Sequence, residues 1–401
     1  MKNIKIYAEV LEEEALKQFE DVMSKDYVLK GALMADAHKG YALPIGGVVA
    51  TKDVIVPAFV GYDIGCGMCA VKLDITKDNI DLNDLFHKIF DVVPVGRSMH
   101  NEKQEVMDPT SELIEEGLNK KGYYQIGTLG SGNHFLEIGE GRDGKLWIVV
   151  HSGSRNLGHF VAEYYMKEAK KLSFDETSLI EEYAKRKSNV KKYNPDAYKR
   201  GLNKFLNDEK DKLAAKVKDD EYFPLDVDSD LGKAYINDMN YCLDYALLNR
   251  KRMIESVKKL MGDPKELMFI NRNHNHADFK NGLWIHRKGA THAEKGMMGV
   301  IPGNMRDGSF IVEGLGNEDS LCSSSHGAGR VLGRKAAQRE LNMNDFSKTM
   351  KDAGVIGLID EDHIDEAPDA YKNIFDVIKI QEDEGLIKVI DYVKPLLNIK
   401  G

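Results

Sequence analysis

Cysteine is scarce in this chain of 401 residues: there are four, Cys66, Cys69, Cys242 and Cys322. Their uneven spacing and the lack of a secretion signal argue against a disulfide framework. Cys66 and Cys69 form a CxxC, but no second pair exists to complete a zinc ribbon. A thiol here is a metal ligand, a reactive group or plain core. No apolar run reaches the roughly 20 residues that span a bilayer. The opening MKNIKIYAEVLEEE holds no apolar signal core and reads as a short strand followed by an acidic helix start. A cytoplasmic protein with no membrane attachment is the expectation. Positive charge is also in deficit. A formal net charge of -9 argues against a surface coated for phosphate binding, although a local basic groove can coexist with an acidic remainder. No GxxxxGKS/T phosphate loop is present.

What is present is glycine, with 36 residues, and a hydrophobic fraction of 42%, as in a folded globular enzyme. Residues 1 to 75 alternate short apolar runs with glycine turns, as in YALPIGGVVATKDVIVPAFVGYDIGCGMCAVKL, and predict several strands. Residues 76 to 120 read as helical and charged, and residues 123 to 152 return to strands. Residues 155 to 262 differ: glycine is scarce and Lys, Glu, Leu, Tyr and Ala dominate. Within them, Glu181 to Glu221 is dense in charge. It reads as a solvated helical face, or more sharply as a basic edge for RNA phosphates carried by Lys185, Arg186, Lys187, Lys191, Lys192, Lys199 and Arg200. From Leu231 to Met261, apolar residues at intervals of three and four predict a long core-packing helix. From Glu266 strands return, and a helix is expected directly after HGAGR, through VLGRKAAQREL. The glycine- and histidine-rich blocks run the whole length, so the reading is one α+β domain, residues 1 to 401, with a glycine-rich β core around a dinuclear metal site and a helical insertion at about 155 to 262.

Of twelve histidines, several sit where strands open onto glycine loops. Sheets fix such positions and loops expose them. Asp63-Ile64-Gly65-Cys66-Gly67 puts a carboxylate and a thiol three residues apart across a tight turn. His134 follows Gly132-Asn133, His151 ends the run LWIVV, and His274 and His276 follow another strand. One Asp, one Cys and three His suffice for two divalent ions with a bridging thiolate; imidazole and carboxylate suit manganese, zinc or iron. His326, in Ser323-Ser324-Ser325-His326-Gly327-Ala328-Gly329-Arg330, reads as an anion ligand or a nucleophile at a helix start, because imidazole titrates near neutrality. Pro302-Gly303-Asn304-Met305 and Ser309 form a second glycine turn able to hold a nucleotide.

These blocks, with DAHKGYALPIGGVV, YDIGCGM, GTLGSGNHFLEI, VVHSGSRNLG, HRKGAT, IPGNM, SSSHGAGRVLGRKAA, DEAPDAYKNI and KPLLNIKG, resemble the RtcB-type RNA ligases from Asp36 to Gly401. The resemblance implies two Mn2+ ions, one on Asp63, Cys66 and His134 and one on Cys66, His151 and His274, with Cys66 bridging. It implies that His326 takes GMP from GTP as a phosphoramidate. It implies a guanylate pocket of Asn133, His134, Phe135, Leu136, Glu137, His274, Asn275, Pro302, Gly303, Asn304, Met305, Ser309, His326, Gly327, Ala328, Gly329 and Lys400, with Glu137 and Lys400 meeting the guanine ring and nearby atoms. The implied reaction joins RNA 2',3'-cyclic phosphate or 3'-phosphate ends to 5'-hydroxyl ends. The implied partners are RNA with broken ends (tRNA or rRNA fragments) and an archease-like activator or release-factor-like repair partner, with a monomer expected. NRNHNHADF stands where the commoner form has HHN and an aromatic, so His274 is aligned by its His-Asn pair and His276 is the competitor. The implied setting is RNA repair or tRNA splicing; PGNMRDGS and MADAHKG also depart from the common pattern, and point to a divergent bacterial branch used for RNA repair rather than tRNA splicing. Two other readings stay open: an end-processing phosphoesterase or 3'-end guanylating enzyme without full ligation, and a non-catalytic sensor of RNA ends.

Overall fold

A computed structural model describes residues 2–216 and 221–401. Val217 to Asp220 of the charged stretch lie outside the described residues.

The glycine-punctuated apolar runs form two sheets. The larger has the order Met298–Pro302, Ser309–Gly314, Ile387–Lys400, Phe135–Glu140, Lys145–Ser152, Gly67–Thr76, Glu266–Asn273, with Ile356–Gly357 added parallel to Ile387–Lys400. The other neighbours are antiparallel, and the two edge strands pack against each other, so the sheet curls nearly into a barrel. Side chains alternate between its faces. Met68, Ala70, Phe135, Trp147, Val149, Ile270, Val300, Ile311 and Val393 fill the inside. Cys69, Val71, Leu136, Ile138, Ile148 and Val150 face outward onto helical residues that include Leu85, Ile89, Met253 and Val257. Burying each such aliphatic side chain is worth about 1.5–3 kcal/mol. The second sheet has the order Asn3–Ile6, Val28–His38, Ile45–Thr51, Leu283–Lys288, Asn275–Lys280. Between the two lies a short ladder of Ala290–His292 with Ser323–Ser325.

Residues 155 to 262 form the helices Arg155–Leu172, Thr177–Arg186, Ser188–Tyr193, Pro195–Ala214 and Asp230–Leu260, with one two-residue strand, Leu225–Asp226. The last helix starts where Ser229 Oγ accepts the Gly232 N–H and ends before Gly262, whose positive φ stops it. Its buried stripe, Tyr235, Met239, Cys242, Ala246, Asn249, Arg250, Met253 and Val257, follows the three-and-four spacing. Lys185, Arg186, Lys187, Lys191, Lys192, Lys199 and Arg200 are all exposed.

The expected helix after HGAGR starts later than the sequence implied. It spans Arg334–Glu340, and residues 326–333 precede it as bends and irregular backbone, with Arg330 bridged to Tyr371. His326 therefore does not sit at a helix N-terminus. Gly329, with φ +75° and the Asp36 carbonyl oxygen within 2.3 Å of where a Cβ would lie, holds a conformation that only glycine fits.

Candidate metal and nucleotide site

Antiparallel pairing explains why distant histidines meet. Cys66 immediately precedes Gly67–Thr76, His134 precedes Phe135–Glu140, His151 is near the end of Lys145–Ser152, and His274 follows Glu266–Asn273. Starts and ends of antiparallel neighbours fall on one rim, and the register sets Gly67 opposite Ser152 and Asn273, and Phe135 opposite His151 and Lys400.

At that rim Cys66 Sγ lies 3.3 Å from His134 Nε2 and 3.3 Å from His151 Nε2. His134 Nε2 is 3.1 Å from Asp63 Oδ2, and His151 Nε2 is 2.9 Å from His274 Nε2. The outer ring nitrogens fix the tautomers. His134 Nδ1–H donates to the Leu129 carbonyl at 3.0 Å and His151 Nδ1–H to the Asn133 carbonyl at 3.1 Å. His274 Nδ1–H donates to Asn275 Oδ1 at 3.3 Å, an oxygen that also accepts the Gly289 N–H, while Asn275 Nδ2 donates to the Asp63 carbonyl. The Nε2 lone pairs of His151 and His274 thus face each other, with His134, the Asp63 carboxylate and the Cys66 thiol beside them. Burial, then the facing imidazoles, holds His151 and His274 well below the usual histidine pKa, hence neutral. Burial, then the Asp63 carboxylate, pushes the Cys66 thiol well up. A divalent cation resolves both conflicts: it takes the lone pairs and makes the thiolate favourable. The donor set of carboxylate, sulfur and outward-anchored imidazoles fits borderline divalent ions.

His326 stands beside this cluster, its ring 4.7 Å from that of His274. Its partner is Asp36, a fully buried carboxylate in Val28–His38 that the sequence reading did not single out. His326 Nδ1–H donates to Asp36 Oδ2 at 2.7 Å, and the His326 and Gly327 backbone N–H groups donate to the same oxygen at 3.2 and 3.3 Å. These are the N–H groups expected to face an anion. Burial would push Asp36 up, but His326 outweighs it and holds the carboxyl below its usual range. This leaves Nε2 as the ring nitrogen not engaged by Asp36. The signal for Asp36 was an acid inside the apolar run LMADAH.

A cleft of about 280 Å3 opens over His151 and His326 and is lined also by Asn133, Phe135, Pro302, Gly303, Gly327, Ala328, Gly329 and Lys400. His38, Ile45, Arg330, Arg334 and Tyr371 complete it. Glu366 organises the cationic wall: Lys400 Nζ lies 2.7 Å from it, Arg334 2.8 Å and Arg330 3.1 Å, and Tyr371 Oη donates to it. Burial pushes Glu366 up, but Lys400 and Arg334 prevail and hold it at about 2. Other residues of the implied pocket lie outside the lining. Leu136 is in the outward core and Met305 packs with Phe346 and Met350. Asn304 Oδ1 accepts the Arg306 and Asp307 N–H groups and so closes its own turn. Glu137, 1% exposed, accepts from Ser309 Oγ and Asn398 Nδ2, each at 3.1 Å.

Two residues of the Asp230–Leu260 helix brace the rim, and neither carried a sequence signal beyond its place on the buried stripe. Arg250 donates to the Gly65 and Ser152 carbonyls at 2.9 and 2.7 Å, to Asn271 Oδ1 at 2.8 Å and to Asn273 Oδ1 at 2.7 Å. Asn249 accepts the Gly127 and Thr128 N–H groups and donates to the Thr128 carbonyl and Ser152 Oγ. Of the two competing histidines, His274 joins the Cys66 cluster. His276 turns to His292, 2.7 Å away between Nε2 atoms.

A family profile described as tRNA-splicing ligase RtcB matches residues 18–119 and 98–401. The RNA-splicing ligase RtcB of Escherichia coli K12 is 32% identical over 98% of this chain and 95% of its own length. The tRNA-splicing ligases RtcB of Methanococcus maripaludis and Thermococcus kodakarensis are 28% and 27% identical over 98% and 92% of this chain, and 92% and 87% of their own lengths. With the family profile covering nearly every residue and the ligand-type side chains gathered on one rim, the chain belongs to the RtcB family of RNA-splicing ligases.

Proposed function

We propose that the chain seals RNA breaks in a GTP- and Mn2+-dependent reaction that passes through guanylate carried on His326. The observation that carries this reading is the Asp36–His326 pair, which fixes the proton on Nδ1 and leaves Nε2 bare beside the His274 ring. His326 Nε2 attacks the α-phosphorus of GTP; the N–P bond forms as the bond to pyrophosphate breaks. Asp36 stabilises the positive charge that grows on the imidazole. Water opens a 2',3'-cyclic phosphate to a 3'-phosphate. An oxygen of that phosphate displaces His326 from the guanylate, and the 5'-hydroxyl then attacks the 3' phosphorus and releases GMP. Manganese on Asp63, Cys66, His134, His151 and His274 would supply charge neutralisation at the transferring phosphate. Arg330, Arg334 and Lys400 give the cleft its cations for the anionic substrates. Tests are incubation with α-labelled GTP and Mn2+, and joining of a 2',3'-cyclic-phosphate RNA to a 5'-hydroxyl RNA. Acid-labile, alkali-stable labelling that is lost in His326→Ala is expected, together with a joined product. Labelling that survives in His326→Ala would overturn the nucleophile. Labelling without joining on hairpin, tRNA or rRNA fragments would reduce the activity to 3'-end guanylation.

A further inference from the structure

The residues around His276 hold a second set of converging donors that the ligation chemistry does not use. In the strand Asn275–Lys280 the tripeptide His276-Ala277-Asp278 places a histidine and an acid on one face, because side chains repeat every second residue. The tripeptide His292-Ala293-Glu294 repeats the pattern at the end of Ala290–His292. His276 Nε2 lies 2.7 Å from His292 Nε2 and 3.9 Å from Asp278 Oδ1, and the three ligand atoms fall within 4.8 Å of one another. His276 is 3% exposed, and Asp278 and His292 are partly open to solvent, which gives an ion a way in.

The hydrogen bonds show which nitrogen of His292 carries the lone pair. His292 Nδ1–H donates to Glu294 Oε1 at 3.1 Å, so its Nε2 is bare. Arg287 places a guanidinium nitrogen 3.5 Å from His276 Nε2, the outer limit of a hydrogen bond, and His276 Nδ1 is buried without a partner, so the far side of this ring does not fix its proton. Two ring nitrogens facing at 2.7 Å, as in His151 and His274, hold either a proton or a cation between them, and the nearby carboxylates favour a cation. Arg287 is already committed to Asp278 Oδ1, Ser323 Oγ and the Leu321 carbonyl. Lys280 is paired with Glu294, whose other oxygen, Oε2, is buried without a partner. The two acids thus offset the two cations, and the imidazoles and the Asp278 carboxylate remain to hold an ion.

We propose that His276, His292 and Asp278, with Glu294 orienting His292, bind one divalent transition-metal ion separate from the Cys66 cluster. Two imidazoles and a carboxylate without sulfur suit zinc, cobalt or nickel, with water completing the shell. The carboxylate–histidine pair at Glu294 and His292 is the usual support for a metal-bound imidazole. The role is structural. Ala290–His292 pairs with Ser323–Ser325, which leads into His326, and the Ala290 N–H donates to the His274 carbonyl at 3.3 Å. An ion here ties the segment after His274 to the ladder that presents His326.

The test uses the full chain loaded with Co2+ or Zn2+ and desalted. Cys66→Ala is compared with Cys66→Ala/His292→Gln, so that residual binding at the first cluster cancels. The expected result is one equivalent less metal in the double variant, and loss of a visible cobalt spectrum that lacks a thiolate charge-transfer band. Glu294→Gln should weaken zinc binding about 10- to 100-fold. Asp278→Asn keeps both imidazoles in place and provides the same comparison if His292→Gln does not fold. Equal metal content and equal cobalt spectra in the paired variants would overturn the site and leave a proton shared between His276 and His292.

Discussion

His326 and Asp36 meet at 2.7 Å, and the Asp36 oxygen concerned accepts three N–H groups: the His326 imidazole and the His326 and Gly327 backbone. The other carboxylate oxygen has no partner. Asp36→Asn can therefore keep its amide oxygen facing all three donors, and the tautomer of His326 survives. What is lost is the negative charge, a difference of about 1–2 kcal/mol between a charged and a neutral hydrogen bond. Protein guanylylation by Asp36→Asn should be slower by about 5- to 30-fold, and Asp36→Ala should be slower still. Single-turnover labelling with GTP measures this; an Asn variant as fast as the natural protein would remove Asp36 from the mechanism.

Cys66 touches both halves of the imidazole cluster, at 3.3 Å to His134 and to His151. If its sulfur bridges two ions, Cys66→Ser should lower bound manganese by more than one ligand's share, to at most half the natural content. Elemental analysis after manganese loading decides it, and unchanged content would refute the bridge.

Arg250 has no exposed surface, and its guanidinium ties the Gly65, Ser152, Asn271 and Asn273 segments together. Arg250→Met fills much of the volume but strands several buried acceptors, each worth about 1–3 kcal/mol when unsatisfied. A loss on the order of 3 kcal/mol or more in urea melts is expected, with weaker metal binding. Full stability with normal metal content would show that water or side-chain movement replaces it.

Glu137 gives a pH signature. Burial, only partly countered by Asn398 and Ser309, lifts its carboxyl from 4.5 to about 7. The folded state keeps a proton that the unfolded state releases. The resulting stability is fully present below about pH 4.5 and is lost as pH rises through 7. Above pH 7 the loss approaches about 3 kcal/mol. Glu137→Gln stays neutral, and Asn398, whose Oδ1 is unpartnered, can turn to accept the new amide. Denaturant melts at pH 5 and pH 8 should show the natural protein losing stability relative to Glu137→Gln; parallel behaviour of the two would contradict the assignment.

The sequence by itself determined the chemical identities. Glycine turns beside Asp63, Cys66, His134, His151 and His326 are local features, and local features are written in neighbouring residues. The three-and-four spacing of the Asp230–Leu260 helix was equally legible, because an amphipathic stripe is a local pattern. Only the tertiary structure decided which groups face one another. His274 and His276 are two residues apart, and nothing in the string NHNH shows that the chain turns between them. That follows from Gly67 pairing with Asn273 on one sheet and Asn275 with Lys288 on the other. Asp36 lies 290 positions from His326, and Arg250 braces strands drawn from both sides of its helix. The late start of the Arg334–Glu340 helix was likewise hidden, because the preceding turn is held by a carboxylate from another sheet rather than by helix propensity. Pairings of this kind depend on register and on long-range packing, and the residues beside these side chains do not say which partner each one meets.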